Sequence, residues 1–246
     1  MTQLIEELSR TKVGCHIDGV CINNISYADD MVLLSPSIGA LKRLIKICES
    51  YAAAHGLKYN TQKSEIMIFK SGSKCYSLPN VTLCGSSLNR VEKFKYLGHW
   101  VTENLTDNTD IERERRSLAV RCNMLARRFA RCTKQFKVTL FKAYCQSFYT
   151  CSLWVNYTRR AYNDLRVQYN NALRIIMGLP RYCSASGMFA EAHVDGFEAI
   201  MRKRCASMLN RMRTSTNMIL SVLADRWDSP MLGRWINLHT VRHATT

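Results

Sequence analysis

Asp29 and Asp30 are adjacent carboxylates in the run Tyr27-Ala28-Asp29-Asp30, between the apolar stretches Val20 to Ser26 and Met31 to Leu34. Carboxylates beside apolar strands must be paired, hydrated or bound to a cation, because a lone ionised group is costly to bury. Mg²⁺ suits such a pair. It takes a few carboxylate oxygens and completes its shell with water and substrate phosphates, and two such ions clamp the attacking and leaving oxygens of a phosphoryl transfer. A turn that only reverses the chain favours Asn-Gly or Asp-Gly, which this chain uses at Asp18-Gly19. The Asp29-Asp30 pair is therefore a candidate metal-binding and catalytic site.

The elements that must position this pair are β-rich at first and helical later. Leu4 to Leu8 read as a helix, and Val13 to Ile17 and Val20 to Ser26 flank Asp18-Gly19 as a tight hairpin. The second of these strands runs into the acidic pair, and Met31 to Leu34 return. Ser37 then caps a helix whose apolar positions Ile38, Leu41, Leu44, Ile45, Cys48 and Ala52 recur at helical spacing until Gly56. Glu65 to Phe69 predict a strand, residues 71–90 read as turns around the short strand Val81 to Leu83, and Phe94 to Val101 predict another strand. Beyond Asp107 the pattern turns helical. Asp110 is the expected N-cap of a helix striped by Leu118, Cys122, Leu125 and Phe129, with Arg113, Arg115, Arg116 and Arg121 on its other faces. Further helices are expected over Lys134 to Cys151, Ala161 to Met177, Ala185 to Ala192 and Phe197 to Arg213, while the stretch holding Trp227 and Trp235 has weak periodicity.

The chain has 246 residues, 47% of them apolar, enough for one sizeable domain or two small ones. Its eleven cysteines include no Cys-x-x-Cys pair, which fits reduced, mostly buried thiols in an intracellular protein, and neither a secretory leader nor an apolar membrane span is expected. The net charge is +16, and the excess is concentrated: residues 111–213 carry 20 Lys/Arg against 6 Asp/Glu. So uneven a charge repels itself unless a polyanion neutralises it, which points to nucleic acid.

Three motifs now give the chain a family resemblance. Ile22-Asn23-Asn24-Ile25-Ser26-Tyr27-Ala28-Asp29-Asp30-Met31-Val32-Leu33-Leu34 resembles the catalytic hairpin of reverse transcriptases of non-LTR (LINE-like) retrotransposons. Gly56-Leu57-Lys58-Tyr59-Asn60-Thr61-Gln62-Lys63-Ser64 is similar to the next palm motif of that family, and Phe94-Lys95-Tyr96-Leu97-Gly98 to its primer grip. The resemblance extends through Lys142-Ala143-Tyr144 and Leu153-Trp154. It implies an α+β fold: a partial palm with an antiparallel sheet and packed helix over residues 1–70, a connecting primer-grip-like hairpin over 71–106, and a basic, thumb-like helical region over 107–213. Residues 214–246 are left as a tail without assigned structure.

The activity implied is RNA-directed DNA polymerisation, a nucleotidyltransferase reaction using two Mg²⁺ ions, an RNA template, a DNA primer and deoxynucleoside triphosphates, with no membrane. Asp29 would be the shared ligand of both ions and Asp30 a weaker partner, while Tyr27 and Ala28 would shape the floor beneath the primer terminus. Lys63 would approach the nucleotide phosphates, Tyr96, Leu97 and Gly98 would press on the primer, and Arg127, Arg128 and Arg131 would contact phosphates. The family also needs a third carboxylate on an upstream palm strand. Asp18 is the only Asp before Asp29, and eleven extended residues at about 3.3 Å each would hold it far from the pair. The chain alone is therefore expected to be inactive without a preceding palm and fingers. The alternative expectation is a non-catalytic nucleic-acid-binding remnant that uses the basic helices, inside the cell in cytoplasm and nucleus.

Overall fold

The computed structural model describes residues 2–70, 79–226 and 228–240. Cys75 and Trp227, and the turns expected over 71–78, lie outside the described residues. The fold is α+β and divides into two compact units: residues 1–92 with 216–222, and residues 93–215 with 223–246.

In the first unit, helix α1 (Thr2–Arg10) is followed by hairpin β1 (Cys15–Ile17) and β2 (Val20–Ile22), then hairpin β3 (Asn24–Tyr27) and β4 (Asp30–Leu33). Helix α2 spans Ile38–Ala54, and the expected cap is present: Ser37 Oγ accepts from the Ala40 N–H at 3.2 Å. Leu4 and Leu8 of α1 pack on Leu44, Cys48 and Tyr51 of α2, and Met31 and Leu33 of β4 join them. This apolar seat fixes the acidic hairpin. The expected strand Val20 to Ser26 is broken at Asn23, which is buried and whose amide donates to the Leu8 and Val13 carbonyls at 2.7 and 2.9 Å. A buried amide with those two partners joins the helix to the hairpins, and the chain bends there into two separate ladders. Asp18 is thus in a turn, as expected, but no single extended strand links it to Asp29.

The remaining strands are also short. β5 (Glu65–Ile66) replaces the longer Glu65 to Phe69 strand and pairs in parallel with β8 (Asn89–Arg90), while β6 (Thr82–Leu83) and β7 (Ser86–Ser87) form a small hairpin. In place of one antiparallel palm sheet, the described residues form five two-stranded ladders. The frequent turns leave each strand too short to span a wider sheet.

The second unit opens with β9 (Lys93–Tyr96) and β10 (His99–Thr102), so the expected strand Phe94 to Val101 is a hairpin instead. Leu97 and Gly98 are its turn, with φ of 46° and 88°. Left-handed φ at both central residues matches the twist of a two-residue hairpin, and glycine takes the second position without strain. Asp18-Gly19 and Cys84-Gly85 repeat the same pair of positive φ values.

Helices α3 (Asn108–Arg128), α4 (Lys134–Cys145), α5 (Arg159–Met177), α6 (Ala185–Glu191) and α7 (Phe197–Arg213) follow, and the weakly periodic end adds α8 (Met218–Asp225) and α9 (Pro230–Thr240). Leu118, Cys122 and Leu125 of α3 pack with Phe141 of α4, Tyr169 and Leu173 of α5 and Phe197 of α7 in one core. The helix expected to reach Cys151 stops at Cys145; the chain then turns so that Phe148, Thr150 and Trp154 all enter the interior, with a short 3-10 turn at Cys151–Leu153. Trp235 of α9 is also buried, and its indole donates to the Ser152 carbonyl at 2.9 Å.

Asp110 is not the N-cap. Asp107 holds that position, yet its carboxylate does not cap the helix: it accepts from the Val155 and Asn156 N–H groups at 2.7 and 2.8 Å. Asp110 is wholly buried and accepts from Trp100 N–H (3.1 Å), Arg113 Nε (2.8 Å), Thr150 Oγ1 (2.6 Å) and Trp154 Nε1 (2.8 Å), with His99 Nδ1 at 3.2 Å. Burial alone would raise its pKa, but contacts from His99, Arg113, Thr150 and Trp154 outweigh it and hold the carboxyl well below the usual range. At Asp107 burial wins over the backbone donors and pushes the pKa up.

A depressed folded-state pKa contributes stability that is fully present above the unfolded carboxylate value, about 4, and is lost as pH falls toward the folded value. Stability of the second unit against denaturant should therefore weaken below about pH 4, and Asp110→Ala should cost about 3–5 kcal/mol at neutral pH by breaking its ion pair with Arg113 and leaving the Thr150 hydroxyl and Trp154 indole without their buried acceptor. In the first unit, Asn23→Ala leaves the buried Leu8 carbonyl and the part-buried Val13 carbonyl without their donor, and the unfolding midpoint should report a loss of about 1–3 kcal/mol.

Candidate active site and nucleic-acid interface

The acidic pair sits at the tip of the β3–β4 hairpin. Tyr27 and Asp30 face each other across the ladder, and Ala28 and Asp29 form the turn. Ala28 takes φ 52°, a conformation that costs a residue with a Cβ about 1–2 kcal/mol. Met31 and Leu33 hold the inward face of β4 against the helical core, which aims the turn away from it. Both carboxylates are exposed, and Tyr27 is 64% exposed. Their exposure leaves both open to solvent. Among the described residues neither carboxylate has a hydrogen-bond or ion-pair partner from another side chain, which leaves their oxygens open to an incoming cation.

Lys63 lies in a turn over residues 61–63, closed by Asn60: the Lys63 N–H donates to Asn60 Oδ1 at 3.2 Å, and Ser64 Oγ donates to the Asn60 carbonyl at 2.9 Å. Asn60 and Ser64 are thus the groups that shape the turn, and Lys63 is exposed on it. Tyr96, Leu97 and Gly98 belong to the second compact unit, as do Arg127, Arg128 and Arg131. Tyr96 ends β9, while Leu97 and Gly98 are turn residues, so this motif presents a hairpin tip where a flat strand was expected. The signal for that turn was a residue followed by Gly between two apolar runs.

The basic segment is less uniform than its composition. Arg115 and Arg116 bind Glu112, each at 2.7 Å, and the bonds from Arg115 lead those that bring the Glu112 pKa down to about 2. Arg113 and Arg121 bind the buried Glu114. These four arginines therefore stabilise helix α3. Arg127, Arg128 and Arg131, at and beyond its C-terminal end, are exposed and have no acidic partner among the described residues, so they are part of the cationic surface left over, with others such as Lys134, Lys142 and Arg166. Charge counting alone did not separate the two sets; i,i+3 and i,i+4 spacing to Glu112 was the readable signal.

Residues 1–101 match the family described as reverse transcriptase (RNA-dependent DNA polymerase). The matched segment contains the hairpin with the acidic tip. The chain is also 24% identical over 219 residues to the RNA-directed DNA polymerase from mobile element jockey of Drosophila funebris. That alignment covers 83% of this chain and 24% of the relative, so the chain spans about a quarter of the relative's length. No solved structure matches the chain.

A metal would meet a suitable but incomplete donor set. Adjacent exposed carboxylates are hard oxygen ligands, yet among the described residues no group of three His, Cys, Asp or Glu side chains converges to hold an ion. No helix among the described residues is long and apolar enough to cross a membrane.

Because Asp29 and Asp30 contribute no contact to the core, Asp29→Ala and Asp30→Asn should each shift unfolding free energy by no more than about 0.5 kcal/mol. Ala28→Gly should raise stability by relieving the positive φ, read as a higher melting temperature.

Proposed function

We propose that this chain is the palm-and-thumb portion of an RNA-directed DNA polymerase, extending a primer 3′-hydroxyl with deoxynucleotides on an RNA template when the rest of the enzyme is present. The observation that carries this reading is the exposed Asp29-Asp30 pair on a fixed hairpin tip, followed in sequence by the two further motifs. Asp29 would hold both Mg²⁺ ions and Asp30 would assist. When bound, the ions activate the attacking hydroxyl and neutralise charge on the leaving pyrophosphate. Lys63 supplies a cation for the nucleotide phosphates, the Tyr96-Leu97-Gly98 tip and the Tyr27-Ala28 turn bear on the primer, and Arg127, Arg128 and Arg131 bind phosphates without reading sequence.

The described residues bring no third ligand to the pair, so the 246-residue chain by itself is proposed to extend primers at background level. Primer extension with the purified chain, Mg²⁺ and an RNA–DNA hybrid tests this: robust synthesis abolished by Asp29→Ala would contradict the inactivity. A second reading, a non-catalytic nucleic-acid-binding remnant, is favoured by the exposed arginines at and just beyond the C-terminal end of α3. Under both readings, replacing Arg127, Arg128 and Arg131 with Gln should weaken binding to any sequence and flatten the log–log salt dependence by about 2 for single strands. A gain in affinity on adding Mg²⁺ that requires Asp29 supports the polymerase reading, whereas metal-independent binding supports the remnant.

A further inference from the structure

Tyr149 is a large aromatic side chain, 74% exposed, with no role in the core. Its mount is nevertheless rigid. Phe148 before it is fully buried, and Thr150 after it is buried with its hydroxyl bonded to Asp110 at 2.6 Å. The ring lies against the tip of the β9–β10 hairpin: a Cβ built on Gly98 would stand 3.7 Å from Tyr149 Cε1 and 3.9 Å from Cδ1. Leu97, 41% exposed, is the neighbouring turn residue. An apolar patch held this firmly has already surrendered the freedom that binding would otherwise cost.

The charges on the hairpin select the occupant. β9 exposes Lys93 and Lys95 as it runs toward the tip, and no Asp or Glu lies between Lys93 and Thr102, with Glu92 and Glu103 at the far ends of the two strands. A fixed aromatic face beside lysines is the arrangement that stacks the bases of single-stranded nucleic acid. We propose that Tyr149, with Leu97, is a base-stacking platform that positions a nucleic-acid strand at the hairpin tip. The inference rests on the nucleic-acid-binding reading above and adds to it a residue that none of the motifs includes.

The test is equilibrium binding of the full chain to a fluorescent 20-nucleotide oligothymidine, and to an abasic strand of the same length. Tyr149→Ala should weaken binding to the normal strand about 5-fold or more, the scale of one lost stacking contact, while leaving the salt slope unchanged because no cation is removed. Tyr149→Phe should bind within about 2-fold of the unaltered chain, as the ring is retained. The abasic strand should bind the unaltered chain about as weakly as the normal strand binds Tyr149→Ala. Salt-dependent binding that Tyr149→Ala leaves intact would overturn the platform alone. Absence of salt-dependent binding by the unaltered chain would overturn the nucleic-acid reading, and the platform with it.

Discussion

In the larger unit, the junction of the hairpin, α3 and the segment after α4 is arranged around one buried carboxylate. Asp110 accepts from the β10 backbone, from Arg113 one turn along its own helix, and from Thr150 and Trp154 on the segment after α4. A charge in that position is tolerable only with all its partners in place. Consequently the hairpin, the long helix and the irregular segment form together. The neighbouring Asp107 ties Val155 and Asn156 to the start of the same helix, so two acidic side chains fix where α3 meets the chain that follows α4.

The exposed pair at Asp29 and Asp30 is held on the opposite principle. Its scaffold is apolar, Met31 and Leu33 against Leu44 and Cys48, and the carboxylates add nothing to it. One pair of acids is therefore free to be lost without unfolding the chain, while the other is locked into the fold. This separates residues kept for chemistry from residues kept for architecture, a distinction that the letter D does not carry.

Much of the helical part was legible because its signals are local. Ser37 caps α2 and Gly178, at φ 67°, ends α5, as their types and positions indicate. The failures have a common cause: long-range contacts overrode local pattern. Asn23 interrupts an apolar run because its amide is needed by Leu8 and Val13, and α4 ends early because Phe148 and Thr150 are drawn inward. Asp110 has the type and place of an N-cap, but its partners lie some forty residues away in sequence, at Thr150 (|i−j| = 40) and Trp154 (|i−j| = 44). The acidic hairpin itself was legible in place and composition; the exposure of its tip was not, since alternation in so short a segment cannot say which face a core covers.

The two-stranded ladders of the smaller unit carry a further consequence. The β3–β4 ladder has two strands among the described residues, with both carboxylates exposed at its tip. Short ladders of this kind are where a strand from another copy can add. The two negative charges at the hairpin tip discourage a second copy of the same hairpin from being that strand, so groups read as ligands for a cation also act, through repulsion, as guards against self-association.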